Sequence, residues 1–318
     1  MYYKEIYILI YFAANIFEHL YMQEKLTVIY IISDRRSGST LLENMLSKSQ
    51  EILSVGELAM LKGHIYKEGP GELWNWNCSC GKPVMQCEFW SKVLNNIHDD
   101  NFETKITWQY KSVEMLLSSF TSINSKSTLQ KLINTKKNKQ TVLVLNEIYK
   151  ALGNISGKKF IVDSSKDPIQ ALAITKCADI NVKLIWLTRD LRAITFSKLK
   201  RWKQNKRSDK KPLETLIDSF RYKKVCNAVI KSVGEKNTIK ISYEALAEKP
   251  QQQLDNICAK FGLANYQAPE YMELNNDHTI AGTPGRFERK VIAADNSWKD
   301  FYKQHAMLNV LGKIFNAL

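Results

Sequence analysis

A basic, hydroxyl-rich turn interrupts an apolar segment in the first part of the sequence. Residues 27–32 read TVIYII, residues 33–40 read SDRRSGST, and apolar residues then return with helical spacing over 41–46. This order is typical of a buried strand, a tight glycine turn and the first turn of a helix. Backbone N–H groups and the positive end of the helix dipole would converge on one point, which suits a bound phosphate. The sequence therefore predicts a phosphate site in this turn.

The turn is not the P-loop of nucleoside triphosphatases. That motif, G-x-x-x-x-G-K-[ST], requires glycine and lysine where this chain has Ser33 and Ser39, and a basic residue stands before the glycine instead. The turn resembles the 5′-phosphosulfate loop of the sulfotransferases, which use 3′-phosphoadenosine-5′-phosphosulfate (PAPS) as sulfuryl donor. The resemblance implies that six consecutive residues bind the 5′ end of PAPS: Arg36, Ser37, Gly38, Ser39, Thr40 and Leu41.

A second motif follows another apolar segment, residues 182–188. This segment ends at Arg189 and Asp190, and Ser197 comes eight residues after the arginine. In sulfotransferases an arginine at a strand end and a serine eight residues later hold the 3′-phosphate of PAPS, and Arg189 and Ser197 match them. Family members usually have proline where this chain has Leu191, a change that concerns the first helical turn more than the chemistry. Taken alone, Arg189 would be expected to pair with Asp190 at the surface.

Three further segments resemble the same family, so that the resemblance covers most of residues 27–301. Residues 159–172 look like a strand that enters a Ser-Ser-Lys-Asp-Pro turn and a helix, and residues 238–263 look like a strand, a Tyr-Glu turn and an amphipathic helix. Residues 282–301 look like the C-terminal loop that closes over the cofactor. From that loop we assign Arg286 to the 3′-phosphate, in preference to Arg289 and Lys290.

The resemblance also implies the catalytic groups. Sulfuryl transfer, like phosphoryl transfer, moves an XO₃ group between two in-line oxygens, so charge must be neutralised and the acceptor proton removed. Arg36 is expected to neutralise the leaving phosphosulfate, and Lys166 matches a lysine that stabilises the transferring group. Glu57, after a short strand-like stretch, resembles the general base of sulfotransferases that lack a catalytic histidine. The alternative for Glu57 is a partner at an exposed helix N-terminus.

The strand and helix pattern predicts one α/β domain. Strands near 27–33, 159–163, 182–188 and 238–242 alternate with helical segments, which favours a mostly parallel sheet with helices on both faces. The resemblance implies the P-loop NTPase-like sulfotransferase fold over residues 27–318. Residues 1–26 form an N-terminal extension whose uncharged run, 6–17, is shorter than a bilayer-spanning helix. Either this extension packs on the domain, or Met22 is the true first residue; a cytoplasmic enzyme is expected.

The charge balance bears on the partners. Lys and Arg number 46 against 32 Asp and Glu, a formal charge of +14. Such a balance often indicates nucleic acid or membrane surfaces, and PAPS explains only part of it. The basic run 198–211 is interpreted as a solvated helix end, with a rim that attracts an anionic acceptor as the alternative.

The predicted function is sulfuryl transfer from PAPS to a hydroxyl of a glycan, a lipid or another small molecule. The alternative is a nucleotide- or nucleic-acid-binding module without turnover, although nucleic acid is not the expected partner. Glu57 and Lys166 argue against that alternative, because a pure binder needs no base. A small-molecule kinase is disfavoured because the chain lacks G-K-[ST].

Three of the six cysteines cluster in the sequence. Cys78, Cys80 and Cys87 form C-x-C with a third cysteine seven residues on, a pattern that would bind zinc if His64 or His98 completed a tetrahedral set. The C-x-C spacing differs from the usual C-x₂₋₄-C, so we interpret these residues as structural thiols with the capacity to form a disulfide. No metal is predicted for catalysis, because basic groups take the place of Mg²⁺ and no Walker B carboxylate is present.

Overall fold

A computed structural model describes residues 25–66, 77–97, 126–204, 211–272, 278–282 and 290–318. Its main sheet has five parallel strands, in the spatial order β2-β3-β1-β4-β5. In chain order the strands are β1 Thr27–Ile32, β2 Ile52–Gly56, β3 Phe160–Lys166, β4 Asn181–Thr188 and β5 Thr238–Ser242. Tyr271–Met272 (β6) and Lys290–Val291 (β7) form a separate antiparallel pair.

Helices connect the strands and cover the sheet. In chain order they are α1 Ser39–Leu46, α2 Leu61–Tyr66, α3 Glu88–Asn95, α4 Lys126–Ile133, α5 Lys136–Ser156, α6 Pro168–Ile174, α7 Leu191–Gln204, α8 Pro212–Val233, α9 Tyr243–Glu248, α10 Pro250–Phe261, α11 Trp298–Lys303 and α12 Ala306–Ala317. Several boundaries follow from local sequence: the Asp167 carboxylate caps α6 at the Ile169 N–H, and Gly262 ends α10 in the left-handed conformation.

The central strand is buried on both faces, as a parallel sheet covered by two helical layers requires. All six residues of β1 are buried, and successive side chains point to opposite faces. Val28, Tyr30 and Ile32 belong to one hydrophobic cluster, whose other members include Trp90 and Leu145, while Ile29 and Ile31 belong to a second. The second cluster packs against residues of α1 and α10. The prediction of a parallel sheet with helices on both faces is confirmed.

The strand predictions agree with the structure and need only small extensions. The strand near 159–163 continues to Lys166, so the lysine assigned to catalysis ends a strand. The strand-like stretch before Glu57 is β2. Most of the N-terminal extension (residues 1–24) and Arg286 lie outside the described residues, so their predictions stay predictions. Among the described residues, no helix is long and apolar enough to span a membrane.

Candidate active site

The turn that follows β1 lies where the strand order of the sheet reverses. β1 sits between β3 and β4, and the crevice at the carboxyl ends of such strands is where open α/β sheets bind ligands. Gly38 ends the turn with φ of 91° and precedes the first residue of α1. A Cβ at this position would collide with the ring of Tyr243, so both the backbone conformation and the packing require glycine.

The two phosphate motifs meet in space. The Nε of Arg36 donates to Ser197 Oγ at 3.0 Å, and Nη1 of Arg189 donates to the Arg36 carbonyl oxygen at 2.9 Å. Arg36 has φ of 73°, an uncommon conformation for a residue other than glycine. The turn after β1 and the end of β4 with α7 therefore form one cationic site, as the two motifs predict.

Arg189 is buried beside a ring and a carboxylate that the sequence interpretation did not identify. Its guanidinium lies 4.2 Å from the centre of the Tyr243 ring, and its Nη2 lies 3.2 Å from Asp295 Oδ2. The expectation that Arg189, taken alone, would pair with Asp190 is wrong, because Asp190 pairs with Arg192 at 2.6 Å. Asp190 therefore stabilises the first turn of α7 through Arg192, and Arg189 does not pair with it.

Arg36 lies close to two other guanidinium groups. Burial is the largest cause that lowers the pKa of Arg36, and the charges of Arg201 and Arg189 lower it further. The Asp295 carboxylate acts in the opposite direction. Arg201 is a further site residue that the motifs did not indicate. The guanidinium groups of Arg36, Arg189 and Arg201 together are suited to a multiply charged anion.

Three buried polar atoms at this site have no hydrogen-bond partner among the described residues. They are Ser33 Oγ, Ser37 Oγ and Arg189 Nε. Buried polar atoms are normally paired, so each of them has capacity for a ligand. A cavity of about 430 Å³ adjoins two of these residues, since Ser37 and Arg189 line it together with Tyr243. These features fit a phosphorylated nucleotide.

Glu57 and Lys166 lie together at the ends of two neighbouring strands. Their side chains are largely buried, and Lys166 Nζ lies 2.6 Å from Glu57 Oε1. Lys166 also donates to the Ser164 carbonyl oxygen at 3.1 Å, and its own carbonyl oxygen accepts from Ser33 N–H and from Tyr222 Oη–H. Glu57 precedes a 3₁₀ turn at Leu58–Met60 without a side-chain cap bond. The alternative role as a helix-cap partner therefore has no hydrogen bond to support it.

A buried carboxylate, Glu43 of α1, lies beneath this pair. It accepts hydrogen bonds from Ser54 Oγ and Ser164 Oγ, each at 2.6 Å. Burial raises the pKa of Glu43, and the two serine hydroxyls act in the opposite direction. Glu43 thus links α1 to β2 and β3, the strands that position Glu57 and Lys166. A single acidic residue in an apolar helix was the only sequence signal for it.

A second buried network holds the segment after Glu57. Asp163 accepts from Tyr149 Oη at 2.6 Å and from the Ser165 N–H at 2.8 Å. Ser165 Oγ in turn accepts from the Ala59 N–H at 2.9 Å. This chain of hydrogen bonds runs from α5 through β3 to the 3₁₀ turn, so it fixes the backbone that carries Glu57.

The carboxylate of Asp163 should make stability depend on pH. Burial raises its pKa from 3.8 to about 6, against the hydrogen bonds from Ser165 and Tyr149. The folded state therefore binds more protons than the unfolded state between these values, so the free energy of unfolding falls as the pH rises from about 4 to about 6. The change is on the order of 3 kcal/mol, at 1.36 kcal/mol per pKa unit.

The difference in unfolding free energy between the wild type and Asp163→Asn isolates this contribution, because Glu43 titrates in both proteins. Urea unfolding at several pH values should show Asp163→Asn gaining stability relative to the wild type as the pH rises from 4 to 6. A pH-independent difference would contradict a raised pKa.

The three clustered cysteines are brought together with a histidine that the sequence interpretation did not consider. The ligand atoms of Cys78, Cys80, Cys87 and His278 all lie within 4.8 Å of one another. His64 is buried in α2 and does not belong to this group, and His98 lies outside the described residues. The suggestion of His64 as the fourth ligand is therefore wrong. All six cysteines are free thiols.

The parallel sheet and the turn after β1 define a P-loop-like α/β fold. The chain belongs to the sulfotransferase family, since the family profile "Sulfotransferase family" matches residues 29–268. Membership indicates a sulfuryl transferase, and the predicted family is thereby confirmed. No curated protein was found that matches the sequence at a significant level.

A solved structure supports the fold. The sulfotransferase domain of the olefin synthase from Synechococcus PCC 7002 superposes with a TM-score of 0.52 and 19% identity, covering 88% of this chain and 89% of that one. The sulfotransferase domain from the curacin biosynthetic pathway gives 0.47 and 17%, covering 88% and 90%. At these identities the first match supports the fold, and the roles of individual residues stay predictions.

Proposed function

We propose that this protein transfers the sulfuryl group of PAPS to an acceptor hydroxyl. The observation that carries the proposal is the junction of the two phosphate motifs, in which Arg36 contacts Ser197 and Arg189 contacts the Arg36 backbone. A site that reads both ends of a 3′,5′-phosphorylated nucleotide needs cationic groups from two strands, and these groups come from the ends of β1 and β4. The 5′ end would be bound by the residues of the turn, Arg36, Ser37, Gly38, Ser39, Thr40 and Leu41.

Each catalytic group has a separate task in the reaction. A bond forms between the acceptor oxygen and sulfur while the bond from sulfur to the bridging phosphate oxygen breaks. Arg36 and the N–H groups of the turn stabilise the negative charge that grows on the leaving phosphate. Glu57 accepts the proton of the acceptor hydroxyl, and Lys166 stabilises the charge on the transferring group.

The ion pair between Glu57 and Lys166 suggests how binding prepares the base. Lys166 Nζ lies 2.6 Å from the Glu57 carboxylate. An anionic donor group competes with Glu57 for the lysine, so donor binding frees the carboxylate for the acceptor hydroxyl. The base would then be exposed to the acceptor only when the donor is present.

The acceptor is proposed to be a hydroxyl of a glycan, a lipid or another small molecule, in a cytoplasmic reaction without a required metal. The basic run 198–211 contributes less to acceptor binding than its charge suggests. Lys198 is directed inward, where its Nζ lies 2.6 Å from Asp34 Oδ2 and donates to Ser219 Oγ at 3.0 Å. This lysine therefore positions the turn after β1, and residues 205–210 lie outside the described part of the chain.

Two measurements test the donor assignment. By titration calorimetry, adenosine 3′,5′-bisphosphate should bind far more tightly than AMP, and radiolabelled PAPS should transfer its label to a product in a lysate of the source cells. Equal affinities for AMP and the bisphosphate would overturn the proposal. A strong preference for the bisphosphate without any transfer would favour the alternative, a nucleotide-binding module without turnover.

Replacing Arg36 by alanine should lower turnover by about 10²–10³, the usual loss for one preorganised donor, and weaken PAPS binding. Arg36→Lys should recover part of the activity, since it restores the charge without the planar fork. Initial rates at saturating PAPS give the comparison.

Arg35→Ala is the matched control, because Arg35 is the adjacent exposed arginine of the same turn and its loss changes the net charge equally. We expect Arg35→Ala to stay close to the wild type. Wild-type kinetics in Arg36→Ala, or equal losses in both variants, would contradict the assignment of Arg36.

A further inference from the structure

The three clustered cysteines lie on a short loop and on the helix start that follows it. Asn77 and Pro83 form an isolated antiparallel bridge that closes the loop carrying Cys78 and Cys80. Cys87 immediately precedes α3. His278 reaches the same point from a segment about 200 residues away in sequence, so four potential ligands converge from two distant parts of the chain.

Three of the four ligand atoms have spacings close to those of a tetrahedral zinc site, and the fourth, Cys80 Sγ, lies within 4.8 Å of each of them. Zn–S bonds of about 2.3 Å and Zn–N bonds of about 2.0–2.1 Å place two sulfurs about 3.8 Å apart, and a sulfur and a nitrogen about 3.6 Å apart. Cys78 Sγ and Cys87 Sγ are separated by 3.8 Å, and His278 Nδ1 lies 3.6 Å from the first and 3.2 Å from the second. A disulfide needs its sulfurs about 2.05 Å apart, so this spacing suits a shared ion better than a bond between thiols.

We propose that Cys78, Cys80, Cys87 and His278 bind one structural zinc ion. Three thiolates and one imidazole fill all four positions, as in closed structural sites, which leaves none for a substrate. Soft thiolate ligands favour zinc over the hard cations Mg²⁺ and Ca²⁺. None of the four ligands belongs to the phosphate motifs or to the catalytic groups.

The groups around His278 hold it in place. The Phe89 ring stacks on the His278 imidazole at 4.9 Å with an interplanar angle of 9°. Trp90 Nε1 donates to the His278 carbonyl oxygen at 2.7 Å. Such outer contacts fix the orientation of metal ligands.

The zinc ion would brace the backbone next to Glu57. Two residues after His278, Ile280 donates its N–H to the Val55 carbonyl oxygen at 3.0 Å and accepts from the Glu57 N–H at 3.0 Å. A Cβ at Gly56 would collide with the Ile280 carbonyl, so the two segments approach as closely as glycine allows. The ion joins residues 78–87 to this segment, and thereby fixes the edge of β2 that carries Glu57.

Metal content is the direct test. Protein expressed in zinc-supplemented medium and purified under reducing conditions should contain about one zinc ion per chain by plasma mass spectrometry. Cys80→Ser and His278→Ala should each lose most of this zinc when a competing chelator is present. Cys80 is exposed, so its replacement removes a ligand with little cost to the core. Cys177→Ser is the matched control. Cys177 is a thiol outside the group, so this variant should keep the zinc content of the wild type.

Two further readouts do not depend on activity. Cobalt added to the metal-free protein should give the visible bands of a tetrahedral thiolate site, and these should be absent from Cys80→Ser. Hydrogen exchange at Glu57 and Ile280 should become faster after zinc removal, because the hydrogen bonds that their N–H groups donate, to the carbonyl oxygens of Ile280 and Val55 respectively, lose their support. Fully reduced wild type that binds neither zinc nor cobalt would overturn the proposal. So would a disulfide among the three cysteines in the freshly purified protein, or equal zinc content in Cys80→Ser and Cys177→Ser.

Discussion

Replacing Glu57 by glutamine should lower the turnover number by about 10²–10⁴, whereas the affinity for PAPS should hold or rise, because the carboxylate that competes with the donor for Lys166 is removed. Glutamine has the shape of glutamate but cannot accept the acceptor proton. The Glu57 side chain is largely buried just after β2, 2.6 Å from Lys166 Nζ, and in the proposed reaction it contacts the acceptor hydroxyl rather than the nucleotide. The loss should therefore appear in the rate and not in bisphosphate binding, measured by steady-state kinetics and calorimetry on the same preparation.

Glu147→Gln provides a matched control for this variant. Glu147 also pairs with a lysine, Lys150, at 3.3 Å, but on the surface of α5 and outside both phosphate motifs. It should keep wild-type turnover. If Glu57→Gln instead lost nucleotide binding and melting temperature while the activity per folded molecule stayed unchanged, Glu57 would be a structural residue and the base would lie elsewhere.

Lys166→Met distinguishes the role of Lys166 from that of Glu57. If donor binding frees Glu57 from Lys166, the lysine variant should lose both PAPS affinity and turnover, whereas Glu57→Gln loses turnover alone. Equal behaviour of the two variants would contradict the separate roles assigned to them.

Much of the fold could be predicted because its signals are local. The central strands β1 and β4 are apolar runs that end in polar turns, and the helix starts carry their own markers, as Asp167 and Pro168 do for α6. Parallel strands place the residues that follow them at one edge, so the turn after β1 and Arg189 could be expected to meet. In the structure the two motifs are joined by the hydrogen bond from Arg36 to Ser197.

The contacts that the sequence could not reveal depend on register and on distant segments. In the sequence, Glu43 is an ordinary glutamate of a predicted helix. Only the packing of α1 against β2 and β3 brings it to Ser54 and Ser164, which donate hydrogen bonds to it. His278 lies about 200 residues from Cys78, so no spacing rule connects them. Tyr243 and Asp295 surround Arg189 because the chain after β5 and the segment before α11 return to the same edge.

Arg189 should determine the preference for 3′-phosphorylated nucleotides. Its guanidinium is buried between the Tyr243 ring and Asp295, at the end of a different strand from the 5′ turn. Charge-assisted hydrogen bonds to phosphate contribute about 1.5–3 kcal/mol each, so two or three of them give a preference on the order of 10³ for the 3′,5′-bisphosphate over AMP. Arg189→Ala should remove most of this preference and weaken AMP binding far less, because the 5′ turn loses only the hydrogen bond to the Arg36 carbonyl oxygen; the wild-type affinity should fall with added salt.

Two further variants test whether the preference for the 3′-phosphate depends on Arg189 itself. Lys183→Ala removes a positive charge from the opposite end of the same strand, where Lys183 donates to Asn237, and it should keep the full preference. Asp295→Asn removes the carboxylate that competes with a 3′-phosphate for Arg189, and the amide oxygen can still accept from Ser297. Its affinity for the bisphosphate should therefore rise above that of the wild type while its affinity for AMP stays the same. A fall in bisphosphate affinity in Asp295→Asn, or an unchanged preference in Arg189→Ala, would place the 3′-phosphate elsewhere and contradict the PAPS assignment at this end of the nucleotide.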